Sequence, residues 1–107
     1  MTVSWHGKLV RDKILKIMIA NGVEPVFYIA TPKERRKRLR RKFVEEVREY
    51  LLADEESGPE ELADAMQVIH ALAKDHGMSV DQLEEIRKRK EEERGAFDDW
   101  IILTGTR

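Results

Sequence analysis

Apolar residues recur at helical spacing along most of this chain. Leu9, Ile14, Ile17 and Met18 mark a first amphipathic segment from Lys8 to Ala20, and Asn21-Gly22 supplies a helix stop. Pro25-Val-Phe-Tyr-Ile-Ala30 lacks that period; short, β-branched and aromatic, it reads as a strand. Thr31-Pro32 then opens a second helix, with Thr as N-cap and Pro in the first turn. Leu39, Phe43, Val44, Val47, Tyr50 and Leu51 carry its apolar stripe towards Ala53. Ser57-Gly58-Pro59 is the turn into a third helix, which runs to Asp75 and is ended by His76-Gly77. A fourth starts at Ser79, where Ser-Val-Asp-Gln reads as a capping box, and stops at Gly95. Trp100-Ile-Ile-Leu103 reads as a second strand. The pattern predicts a mainly α chain in a single domain, 1–107. It is a four-helix bundle with a small two-stranded β accessory, its strands near 25–30 and 99–103.

The polar residues that interrupt the stripes carry more information than the stripes do. At roughly 100° per residue, the apolar residues of the second helix fill an arc of roughly 140° starting at Leu39. Glu46 falls roughly 20° outside it, Glu49 flanks it, and Glu45 faces the opposite side. On the third helix, Glu61 lies inside the apolar face, Asp64 lies on its edge, and Glu60 points away. Each pair is spaced i, i+3, so its carboxylates leave one side of one helix. A short turn makes the two helices antiparallel neighbours, so the pairs can face one another at one level. Four converging carboxylates on an apolar margin need a counter-charge. Oxygen-only ligands point to Mg²⁺, or Mn²⁺, rather than zinc. The bland alternative is a solvated hairpin with an acidic surface.

Composition narrows the field. Asp, Glu, Lys and Arg make up 38% of the residues while the formal net charge is −1, so there is no global pull towards nucleic acid or an anionic membrane. The absence of cysteine excludes disulfides and thiolate metal sites, and the three histidines are widely spaced. No apolar run approaches a membrane span, and the first residues lack a signal-peptide core, so a cytoplasmic location is expected.

Glu45-Glu46-Val-Arg-Glu49, followed by Glu61-Leu-Ala-Asp64, resembles the E-E-x-x-E … E-x-x-D signature of the all-α nucleoside-triphosphate pyrophosphatases, the MazG-like superfamily. Lys8-Leu-Val-Arg-Asp-Lys-Ile14 and Lys90-Glu-Glu-Glu-Arg-Gly-Ala-Phe97 resemble motifs of its phosphoribosyl-ATP-pyrophosphohydrolase-like house-cleaning subgroup. Two positions depart from that subgroup: Leu15 stands where Pro is usual, and Ala96 where a second Gly is usual. The resemblance implies hydrolysis of a nucleotide between its α and β phosphates by a homodimer or a dimer of dimers. It implies Mg²⁺ on Glu46, Glu49, Glu61 and Asp64, the residues expected to be catalytic. Lys8, Arg11, Asp12, Lys13, Lys90 and Arg94 are the candidates for substrate contact. Phosphoribosyl-ATP itself is an alternative substrate. Trp5 and Trp100 could stack on a base, although packing is the plainer role for each.

Lys33 to Lys42, KERRKRLRRK, supports a different class, a helical module that binds nucleic acid. Against it, the run begins an apolar-striped helix, no aromatic-interleaved element accompanies it, and the net charge is not basic. A solvated helical face is the plainer reading.

Overall fold

The computed structural model describes residues 7–107. It contains four helices: α1 (Ile14–Ala20), α2 (Pro32–Leu52), α3 (Gly58–Asp75) and α4 (Val80–Arg94). Among the described residues no helix is long and apolar enough to cross a membrane.

Several ends follow the local chemistry. Thr31 is the N-cap of α2 with Pro32 behind it, although the Thr31 side chain makes no capping bond. Ser79 caps α4 with a complete capping box: Gln82 N–H donates to Ser79 Oγ at 3.1 Å, and Ser79 N–H donates to Gln82 Oε1 at 2.8 Å. After α3, Gly77 takes the left-handed conformation at φ 77°. Its N–H reaches Lys74 O at 2.9 Å while Met78 N–H reaches Ala73 O at 2.9 Å, the paired bonds of a Schellman stop.

The first helix is shorter than its sequence suggests. Helical hydrogen bonding begins at Ile14, not Lys8. The preceding arm lies across the other helices instead: Arg38 donates to Gly7 O at 2.9 Å, Lys8 pairs with Glu45 at 2.6 Å, and Arg11 pairs with Asp64 at 2.6 Å. Those contacts hold the arm out of a helical turn.

The β accessory is not seen. Among the described residues there is no strand, and no backbone hydrogen bond links 25–30 to 99–103. The two segments lack a shared edge, and Trp100 sits at φ 53°, a left-handed conformation that interrupts an extended run. Their side chains stand in the open, with Val26 99% exposed and Ile102 83% exposed.

Among the described helices, α2 packs on α3, and α4 contacts α3 alone. The buried residues are Glu46 on α2 and Gly58, Val68 and Ala73 on α3. On each helix the seam between α2 and α3 is rotated away from the middle of the apolar arc. One half of each stripe therefore faces outwards: Val44, Val47 and Leu51 on α2, Leu62, Met66 and Ile69 on α3.

Candidate metal centre

The rotation of the seam places acidic residues where a bundle normally places leucines. Glu46 is 6% exposed, among the most enclosed residues described, rather than at the margin of the apolar face. Glu61 and Asp64 approach it from α3, and each of the three offers a carboxylate oxygen within 4.8 Å of the others. Glu46 Oε2 and Glu61 Oε2 are sealed from water and have no hydrogen-bond partner. A buried carboxylate oxygen left unbonded is costly, because desolvation is not repaid. Facing carboxylates in one seam raise that cost through mutual repulsion.

Two side chains supply partial compensation. Lys42, one turn before Glu46 on α2, lies 3.4 Å from Glu46 Oε1, and Arg11 from the arm donates to Asp64 Oδ1 at 2.6 Å. Neither reaches the two orphaned oxygens. Hard oxygen donors, a central void in hydrogen bonding and an excess of negative charge suit a divalent cation such as Mg²⁺ or Mn²⁺. The residues present therefore fit such an ion.

The expected site is only partly assembled. Glu46, Glu61 and Asp64 converge, whereas Glu49 is exposed and stands outside the three-residue group. Glu45 departs from the helical-wheel expectation. It is half-buried, not turned to water, because Lys8 binds it at 2.6 Å and Lys42 lies 3.5 Å away. Burial pushes the Glu45 carboxyl upwards, but Lys8 and Lys42 together outweigh it and hold the group below its ordinary value. The Lys8 ammonium is raised in turn, first by its hydrogen bond to Glu45.

Among the proposed substrate contacts, Lys8 and Arg11 are drawn to the acidic residues of α2 and α3. Asp12 and Lys13 are exposed beside them. Lys90 and Arg94 are exposed on α4, and no ion pair joins either to the acidic group. Trp100 is 83% exposed, packed in neither a core nor a stack, and Trp5 lies outside the described residues.

Sequence reasoning missed Lys42. It was legible as the residue i−4 from Glu46, but the basic run around it disguised a side chain that faces inwards. No family model, no curated protein and no solved structure matches this chain.

Proposed function

We propose that this protein is a divalent-cation-dependent nucleotide pyrophosphohydrolase. It would cleave a nucleoside triphosphate or related nucleotide between the α and β phosphates, giving a monophosphate and pyrophosphate. The observation that carries this reading is the pair of buried, unbonded oxygens, Glu46 Oε2 and Glu61 Oε2, beside Asp64. The E-E-x-x-E … E-x-x-D spacing then favours nucleotide hydrolysis over simple ion storage.

Glu46, Glu61 and Asp64 would hold Mg²⁺, with Mn²⁺ as a substitute. When bound, such an ion neutralises phosphate oxygens and makes a water more acidic. Glu49, exposed and one turn beyond Glu46, is the proposed acceptor of that water's proton, or a further ligand. Cationic side chains must stabilise the departing pyrophosphate. Arg11 is the foremost candidate because it already stands at the acidic group; Lys8, Lys13, Lys90 and Arg94 are further ones, with Asp12 beside them in the arm. Damaged or modified nucleotides are the proposed substrates, and phosphoribosyl-ATP the alternative.

A homodimer, or a dimer of dimers, is the proposed assembly. The outward strip of Val44, Val47, Leu51, Leu62, Met66 and Ile69 supports it, since a second hairpin laid on that strip would complete a four-helix bundle.

The test is pyrophosphate release from a nucleotide panel with Mg²⁺, comparing the parent with Glu61→Gln. Losing even an outer-shell partner of a metal ligand typically costs 10–100-fold, so loss of the ligand itself is expected to lower turnover by about 100-fold or more. Equal activity in the variant would overturn the assignment.

A second reading has its own support. Lys33, Lys37, Arg40 and Arg41 share one exposed face of α2, and none pairs with an acidic side chain among the described residues. Such a face suits a polyanion, and a salt-dependent shift of labelled single-stranded or duplex nucleic acid would favour it.

A further inference from the structure

Arg11 touches the acidic group at one point, donating to Asp64 Oδ1 at 2.6 Å. A fixed structural pair would be enclosed, but here the side chains are 55% exposed for Arg11 and 41% for Asp64. An exposed ion pair of this kind is weak and readily exchanged. Lys42, the other cation at the group, is 20% exposed and belongs to the same helix as Glu46, so it is the fixed one.

The local charge count separates their roles. Glu46, Glu61 and Asp64 bring three negative charges against one each from Lys42 and Arg11, and the adjoining Lys8–Glu45 pair adds no net charge. A divalent cation added to that set would leave one positive charge in excess. Departure of the Arg11 guanidinium alone would restore neutrality and free Asp64 Oδ1. The arm need not lift for this to happen, because Gly7 O on Arg38 and Lys8 on Glu45 tie it to α2 independently. A guanidinium released at that spot is a planar fork suited to two oxygens of a phosphate.

We propose that Arg11 is an exchangeable counter-charge. It covers Asp64 while the cation is absent, gives Asp64 up when a divalent cation arrives, and then binds the phosphate chain of the nucleotide. This rests on the divalent-cation reading of Glu46, Glu61 and Asp64. Cation and guanidinium are thus competitors for one carboxylate, whereas phosphate and cation reinforce each other through the same side chain.

The experiment compares the parent, Arg11→Gln and Arg11→Lys in the full chain. Binding of Mn²⁺ alone is measured by electron paramagnetic resonance, and binding of magnesium pyrophosphate by calorimetry. In Arg11→Gln, Mn²⁺ is expected to bind about threefold tighter or more, because its competitor is gone. Pyrophosphate is expected to bind about tenfold weaker, because a charge-assisted contact is lost. Arg11→Lys should keep most of the competition with Mn²⁺ but lose part of the pyrophosphate affinity. Opposite signs in the glutamine variant are the signature, since a merely structural role would weaken both affinities or move neither. If the parent binds Mn²⁺ and the glutamine variant shifts both affinities in one direction, or neither, the exchange is overturned while the cation site stands. If the parent binds no Mn²⁺, the cation site falls and the exchange falls with it.

Discussion

Glu46 owes its position to the side of α2 that meets α3. Its Oε1 has Lys42 at 3.4 Å, but its Oε2 has nothing. Removing the charge while keeping the shape should relieve that burial. Glu46→Gln is therefore expected to stabilise the protein by about 1 kcal/mol in urea denaturation with a chelator present, and to abolish stabilisation by added Mg²⁺. Glu34 is a second residue with a legible electrostatic role. The Tyr28 hydroxyl donates to it at 2.7 Å and Arg38 at 3.1 Å, and the two, Tyr28 foremost, hold its carboxyl below the ordinary 4.5. A carboxyl whose pKa is lower folded than unfolded stabilises fully above its unfolded value. That contribution is lost as pH falls through the lowered folded value. Tyr28→Phe should move the Glu34 carboxyl back up towards 4.5, read by NMR titration, and shrink its share of the acid-induced loss of stability.

At the scale of elements, α4 depends on its ends because its sides bury little: none of its residues is buried. Ser79→Ala removes the side-chain half of the capping box and should cost about 1 kcal/mol, with loss of helical circular dichroism at lower urea than in the parent. This capping box, the Gly77 stop and the α2–α3 hairpin were all legible in the sequence, because each depends on residues within a few positions. The start of the first helix is not legible locally, because Lys8 and Arg11 bind residues on α2 and α3 far along the chain, which no local spacing reveals. The two expected strands do not form because β-propensity describes a surface that needs a partner edge, and Phe27, Ile29, Ile101 and Leu103 find none among the described residues. For the acidic group, helical spacing correctly brought Glu61 and Asp64 towards Glu46. It could not foresee that the seam is centred on Glu46 itself, leaving Glu49 outside, since a wheel gives the apolar arc but not which part of it is covered.

The whole molecule is open for its mass. Its accessible surface is 10176 Å², whereas a compact chain of 12.5 kDa would expose about 6,200 Å². Many large apolar side chains are among the exposed residues, and a standard-size protein interface buries less than that excess. Leu51, 73% exposed, and Met66, 57% exposed, lie on the outward strip of the hairpin. The double variant Leu51→Lys, Met66→Lys is expected to have a lower mass by light scattering than the parent, falling to the 12.5 kDa monomer if the parent is a homodimer.

The principal extents of 63 × 34 × 25 Å bear on how that difference should be weighed. The radius of gyration is 18.3 Å, against about 13 Å for a rounded chain of this length. A body so long experiences high friction, and on a sizing column a single copy would travel like a heavier sphere. Elution volume alone would counterfeit association, so scattering intensity or sedimentation equilibrium, which report mass without regard to outline, must be the arbiter.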